Sequence, residues 1–270
     1  IPHLNEQILI GKFYKDLQDK IELNNKMNKT LEAIGQALFK RGFVDFEFPN
    51  EKGKPYKSSG GKMVESELGM IPEGWNVGFL GDKTLTEIIK PGINPFLGEK
   101  IYLDTSCVQD SSIVDISYKV TMENRPSRAN MQPTIASIWF AKMKDSRKII
   151  FFDSFSNNSL DNFILSTGFA GLKTKSNSLY YLWSFILQEN FDELKNNLCN
   201  GTTMQAINND NITKIKILIP DNKTLSEFNQ KIKPLFEKIY TISLENQYLT
   251  QIRDSLLPKL MSGQIRVSVK

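Results

Sequence analysis

Histidine is almost absent from this chain. His3 is the only one among 270 residues. That excludes a Ser-His-Asp triad beyond the extreme N-terminus, a two-histidine metal site and a His-Cys zinc cluster. Cysteine is nearly as scarce. Cys107 and Cys199 make no disulfide framework and are expected as free thiols in a reducing cytoplasm. No apolar run reaches the roughly 18–20 residues that span a bilayer, and no signal peptide is visible, so no membrane partner is expected. Catalytic patterns are missing too. Gly11-Lys12, Gly53-Lys54 and Gly61-Lys62 stand alone, outside any phosphate-cradling loop, and there is no Gly-x-Gly-x-x-Gly. Asn94-Pro95-Phe96 lacks the second proline, and the accompanying glycine-rich loop, of an amino-methyltransferase. The Glu-x-Lys at Glu193-Leu-Lys195 has no Pro-Asp upstream and reads as solvated helix charge rather than a nuclease core. No catalytic residue and no metal site is therefore assigned.

What the chain does have is one helix written twice. The first copy runs from about Leu4 to Arg41 and the second from about Asn222 to Ser262, and the two align at an offset of 218 positions without a gap. Ile1-Pro2 then falls on Ile219-Pro220, Lys15 on Lys233, Lys20 on Lys238 and Asn28 on Asn246. Apolar periodicity does not require the Pro, Lys and Asn matches, so they mark an internal duplication. The first copy has a seam at Ile10, Tyr14, Leu17, Ile21, Asn24, Asn28, Leu31, Gly35 and Leu38. The second has Phe228, Ile232, Leu235, Ile239, Ile242, Asn246, Leu249, Arg253 and Leu256. Steps of four and three make these heptad seams. Phe13, Leu23, Met27 and Ile34 widen the first stripe beyond a two-helix seam and call for partner helices.

Between the copies the sequence predicts an α+β domain. The first helix, within residues 1–46, is expected to stop at Gly42, with Gly42–Phe48 as an extended tail. Residues 47–67, rich in Pro, Gly, Ser and Lys, read as a linker. The globular segment is placed at 68–219, opening on Gly69-Met-Ile-Pro-Glu-Gly-Trp75 with its Trp packed inward; residues 220–270 hold the second helix and tail. A short helix is predicted over Thr84–Lys90, strands over Lys100–Ser106, Thr134–Phe140, Lys148–Asp153 and Ile212–Ile219, and a helix over Asn177–Asn197. A compact domain joining the end of one helix to the start of the other makes the helices antiparallel, with the domain at one tip. A pseudo-twofold then lets Asn28 approach Asn246 as a polar pair that fixes register, the alternative being that each Asn faces solvent or a partner. The chain opens on Ile rather than Met, and Ile1-Pro2 matches the end of a strand-like run at Ile219-Pro220. A preceding globular segment is expected at the other tip.

Charge is mildly basic, +4 with a pI near 8.8, which is compatible with nucleic acid. It is also uneven: Lys119–Lys148 holds seven Lys/Arg against two acids. Within it, Asn124-Arg-Pro-Ser-Arg-Ala-Asn130 offers Arg125, Ser127, Arg128 and Asn130; Lys142, Lys144 and Arg147 follow. Arg reads guanine bidentately, Asn reads adenine, and Lys and Ser hold phosphates. Two further loops are candidates. Ser166-Thr-Gly-Phe-Ala-Gly-Leu-Lys-Thr-Lys175 has two glycines that permit close backbone approach, then Lys173 and Lys175. Asn200–Asn211 is dense in uncharged donors, including Thr202, Thr203 and Gln205. A solvated basic surface, a core-packed turn and an Asn-rich capping loop are the competing readings of the three.

Gly201-Thr-Thr-Met-Gln-Ala-Ile-Asn-Asn-Asp-Asn-Ile, then Ile215-Lys-Ile-Leu-Ile-Pro220, then Leu256-Leu-Pro-Lys-Leu-Met-Ser-Gly-Gln-Ile-Arg-Val267 resemble the specificity (S) subunit of type I restriction-modification enzymes. Ile71-Pro-Glu-Gly-Trp75 and Ser166-Thr-Gly-Phe-Ala170 are similar to that family's domain-opening and internal motifs. The resemblance implies a target recognition domain that reads one half of a split double-stranded DNA site. It implies two spacer helices, seamed by Leu17, Ile21, Asn28, Leu31, Leu38, Leu235, Ile239, Asn246, Leu249 and Leu256, that dock methyltransferase (M) and then restriction (R) subunits. S-adenosylmethionine and ATP are then expected on the partners, with no cofactor on this chain. The order here is spacer, recognition domain, spacer, without the family's first recognition domain. A fragment of a full subunit and a half-subunit that pairs with a second copy both remain open. A coiled-coil protein-interaction scaffold and a free-standing DNA-binding regulator are the alternatives.

Overall fold

The structure is a computed structural model that describes residues 2–156, 160–175 and 177–266. It separates into two compact units, Ile1–Gly35 with Ile232–Lys270, and Gln36–Lys231.

The first unit is the helix pair. Helix α1 (Leu4–Phe39) and the last helix (Asn222–Met261) supply it. Their contacts run in opposite senses: Gln18 meets Arg253, Lys20 meets Glu245, Asn24 meets Asn246 and Asn28 meets Ser243. The pair is therefore antiparallel, as the sequence predicts. Ile10, Ile232 and Ile242 are buried in it, and Gly35 leaves room for Ile232, whose Cδ1 lies 3.8 Å from where a Cβ would stand. The polar centre differs in detail from expectation. Asn246 accepts from Asn24 Nδ2 at 2.8 Å and donates to Asn25 Oδ1 at 2.9 Å; Asn28 instead donates to Ser243 Oγ at 3.2 Å. A one-turn stagger brings Asn24, not Asn28, opposite Asn246. The symmetry survives this correction. Under the 218-residue offset Asn25 corresponds to Ser243 and Asn28 to Asn246, so the Asn28–Ser243 and Asn25–Asn246 hydrogen bonds are images of each other.

The second unit begins with a correction. Gly42 does not cap α1. The chain widens into a π-helical turn, Lys40–Val44, in which Gly42 and Phe43 are buried. Phe43 lies 4.7 Å from Tyr181, 4.9 Å from Phe228 and 5.7 Å from Trp75, ring centre to ring centre. Burial of that ring outweighs the local preference of glycine to stop a helix. The expected extended tail is thus helical in its first half. Beyond it, Phe48 stacks on Tyr56 and Trp75, and the Asn50 side chain accepts from the amides of Lys52 and Lys54. Trp75 packs inward as predicted, with its indole N–H donating to Asp221 at 3.0 Å.

Fourteen strands follow among the described residues: β1 (Met63–Ser66), β2 (Gly69–Pro72), β3 (Asn76–Phe79), β4 (Thr86–Ile89), β5 (Lys100–Leu103), β6 (Val108–Gln109), β7 (Ser112–Ile113), β8 (Lys119–Val120), β9 (Ala129–Met131), β10 (Ser137–Ala141), β11 (Ile149–Phe152), β12 (Phe163–Ser166), β13 (Phe169–Thr174) and β14 (Lys216–Ile219). Helices α2 (Leu179–Ile186), α3 (Glu189–Asn197) and α4 (Asn209–Ile212) precede β14, and α5 is Asn222–Met261. The predicted helix over Thr84–Lys90 is strand β4, because Thr86, Ile88 and Ile89 complete a sheet against β13. The predicted helix over Asn177–Asn197 is two helices, broken at Leu187-Gln188. The closing strand is shorter than predicted, since Asn208 caps α4 where Ile212 was expected extended.

Two four-stranded sheets face each other. One has the order β11-β10-β13-β4, all antiparallel; the other is β8-β5-β12-β9, with β5 and β12 parallel. Trp139 and Ala141 from β10, Ile150 and Phe152 from β11, Phe169 from β13, Leu103 from β5 and Leu165 from β12 form the core between them. The alternate residues of the first sheet face the helices: Phe140 packs on Phe191 at 5.1 Å and Phe151 on Trp183 at 4.5 Å. A sheet covered on both faces explains the unbroken apolar runs of β10 and β11.

Candidate nucleic-acid interface

Four loops meet at one end of these sheets, stitched by backbone hydrogen bonds. The Thr167 amide donates to Arg128 O at 2.8 Å. The Lys142 amide donates to Gly168 O, and the Lys144 amide to Gln205 O, both at 2.9 Å. The Ile207 amide returns to Lys142 O at 2.9 Å, and Asn200 and Ala206 exchange two bonds of 3.0 Å. The 124–130 loop, the 166–168 turn, the 142–148 hairpin turn and the 200–206 loop therefore form one surface. It carries Ser127, Arg128, Lys144, Thr202 and Thr203 exposed, with Lys142, Asn130 and Gln205 half-buried.

The surroundings of each cation differ. Arg128 reaches over the glycine turn: its Nη2 is 3.1 Å from where a Gly168 Cβ would stand, with Thr105 Cγ2 at 3.3 Å. Burial lowers the Lys142 amine below its ordinary value, and an anion placed there would favour its charged form. Lys148 donates from Nζ to Thr105 O at 2.5 Å, tying the hairpin turn to the short turn after β5. Thr105 carried no sequence signal; only its approach to Gly168 places it here. Asp104 beside it accepts from the Ser106 amide and hydroxyl. Burial pushes its carboxyl up, but these bonds hold it below the usual carboxylate value.

Three predicted contacts are occupied elsewhere. Arg147 pairs with Asp192 and donates from Nη2 to Leu187 O at 2.6 Å. It anchors the hairpin to α3 rather than facing outward. Arg125 donates from Nη1 to Ala129 O at 2.8 Å and closes its own loop. Lys175 donates to Lys83 O at 2.7 Å. It lies with Lys173 at the far end of β13, where Lys173 stands opposite Glu87 across the ladder. A six-residue strand is about 20 Å long, so these two lysines are a strand's length from Gly168.

The glycines of the 166–175 stretch divide as well. Gly168 is at the surface, under Arg128. Gly171 is in the core, where an added Cβ would stand 2.4 Å from the Trp139 ring; it admits an indole, not a ligand. Lys195, predicted as a solvated helix charge, is buried instead, with Nζ donating to Ser146 O at 2.7 Å. Asn196 binds the Asp145 amide and carboxylate at 3.1 and 2.9 Å. With Asp192 on Arg147, α3 holds the hairpin turn at three successive residues, Asp145 to Arg147. Among the described residues no three His, Cys, Asp or Glu side chains are grouped to hold a metal ion, and no helix is long and apolar enough to cross a membrane.

No protein-family model matches the chain. The specificity subunit of type I restriction enzyme MjaIX from Methanocaldococcus jannaschii is 30% identical over 290 residues, covering 98% of this chain and 60% of that protein. The HindI specificity subunit from Haemophilus influenzae is 25% identical over 330 residues, covering 98% and 68%. A solved type I restriction-modification S subunit from M. genitalium shares the fold at a TM-score of 0.51 and 14% identity, covering 99% of this chain and 62% of that one. The chain thus spans about three-fifths of the length of the M. jannaschii relative. Its arrangement of long helix, sheet-bearing domain and long helix is the fold of that solved S subunit, and in sequence along nearly its whole length the chain is a homologue of the specificity subunits of type I restriction enzymes.

Proposed function

We propose that this chain is a non-catalytic DNA-recognition subunit of a type I restriction-modification system, reading one half-site of duplex DNA through the four-loop surface. The observation that carries the proposal is the chain of backbone hydrogen bonds from Arg128 through Gly168 and Lys142 to Gln205. Loops scattered over eighty residues of sequence are joined into one face rich in guanidinium, ammonium, hydroxyl and amide groups. Such a face supplies both phosphate holding and base reading. The readers are Ser127, Arg128, Asn130, Lys142, Lys144, Thr202, Thr203 and Gln205. Lys173 and Lys175 belong to a separate surface, and Arg125 and Arg147 shape the loops that present the others.

The helices are the dock for methyltransferase subunits, with restriction subunits joining the assembly after them. Leu23 and Ile34 on α1 are 53% and 44% exposed, and with Leu9, Phe13 and Met27 they form a stripe beside the Asn24 seam. An apolar stripe flanking a filled seam supports a further helix packing there. Methyl transfer and cleavage, with S-adenosylmethionine and ATP, then belong to the partners, and the complex works in the cytoplasm. Equilibrium binding to duplex DNA across a salt series tests the recognition role. Log affinity falls linearly with log salt if phosphates are neutralised, and a specific duplex is held well above a scrambled one. No affinity for duplex DNA at any salt overturns the proposal.

A further inference from the structure

Among the polar groups of the 200–206 loop stands one large apolar side chain. Met204 is 71% exposed, between Thr203 and Gln205. Its position is fixed rather than incidental. Asn200 and Ala206 close the loop with paired 3.0 Å bonds, and the Lys144 amide holds Gln205 O at 2.9 Å. Gly201 adopts φ +121°, and a Cβ there would stand 2.5 Å from the Met204 carbonyl oxygen. The backbone bearing Met204 is thus folded tightly over a residue that only glycine satisfies. Met143, opposite Ala206 in an isolated bridge and 46% exposed, adds a second thioether on the neighbouring turn. Lys142 and Lys144 flank it.

Cations flanking an apolar tip divide the work of recognition. Ammonium groups hold phosphates irrespective of sequence. A methionine offers base edges almost no hydrogen bonding, and what it can discriminate in the major groove is the one apolar group displayed there, the C5-methyl of thymine. Cytosine has only C–H at that position. We propose that Met204 is a specificity-determining residue that packs on the C5-methyl group of a thymine in the half-site. The proposal rests on the reading of this chain as a DNA-recognition subunit.

Selection of bound duplexes from a random pool, with the full chain, gives the site. Each thymine in it is then replaced by deoxyuridine, which removes one methyl group and nothing else. At one position the wild type binds the uracil duplex about fourfold more weakly, the value of one buried methyl. Met204→Ala binds thymine and uracil duplexes alike, and Met204→Leu keeps the thymine preference. If no thymine is sensitive, or if Met204→Ala keeps the full uracil penalty, Met204 is not the reader. A wild-type chain that enriches no sequence overturns the recognition role itself, and this assignment with it.

Discussion

The Thr167 amide donates to the Arg128 carbonyl at 2.8 Å, and that bond seats the basic loop on the glycine turn. Arg128 is exposed and its guanidinium lies along Gly168, free to meet a nucleic acid; Arg147 is spent on Asp192 and Leu187. Arg128→Ala is expected to weaken specific DNA binding by about 1–3 kcal/mol, or by a uniform loss with a salt slope lower by about one if the contact is to phosphate. Arg147→Ala lowers folding stability and leaves the salt slope unchanged. Binding isotherms at several salt concentrations separate the two; equal affinity of wild type and Arg128→Ala at near-physiological salt sinks the assignment.

The two glycines of the 166–175 stretch give a paired test. Gly171→Ala drives a methyl into the Trp139 ring and is expected to cost roughly 1–3 kcal/mol of stability by overpacking. Gly168→Ala meets the movable end of Arg128 and stays within about 0.5 kcal/mol of wild type in urea unfolding, while DNA affinity drops. If Gly168→Ala binds as wild type does, the turn is not part of the interface.

Lys142 supplies a pH signature. Burial lowers its amine below the ordinary 10.5, so it loses its proton earlier than a surface lysine as pH rises. Only the charged form holds a phosphate. DNA affinity should therefore begin to fall on the alkaline side before 10.5, and Lys142→Met should remove that decline along with part of the affinity. An unchanged alkaline profile in Lys142→Met shows that Lys142 makes no such contact.

Much of this was legible beforehand, for identifiable reasons. The antiparallel pairing is readable because one compact domain joins the end of the first helix to the start of the second, while the ungapped duplication marks the two seams, Ile10 to Leu38 and Phe228 to Leu256. The loops that meet at the candidate surface each stand out by residue type. Their union does not, because backbone hydrogen bonds such as Lys144 to Gln205 leave no trace in composition. The burial of Lys195 is not legible, because a buried lysine with a carbonyl partner and a solvated one look alike in sequence. Strand β4 is not legible either, because Thr86–Ile89 takes its conformation from the ladder with β13, which lies about eighty residues away. The Asn28–Asn246 expectation missed by one helical turn, within which a seam phased from sequence is free to slide.

The seam's amides set register at a cost. Asn24 is 1% exposed, donating to both Asn246 and Glu245. Asn246→Leu alone removes a partner of the buried Asn24 and is expected to destabilise the helix pair by about 1–3 kcal/mol. Asn24→Leu with Asn246→Leu should recover that loss, since matched apolar groups need no hydrogen bonds. Thermal unfolding of the two variants checks the sign of each change. A double variant as unstable as the single one contradicts the pairing of Asn24 with Asn246.

The most direct measurement is modified-base mapping of genomic DNA after co-expressing the chain with a candidate methyltransferase subunit. The account predicts methylation at one recurrent sequence, lost when Arg128 and Lys144 are both replaced by alanine in a chain that still associates with its partner. Sequence-independent methylation, or a recurrent site untouched by those replacements, contradicts it.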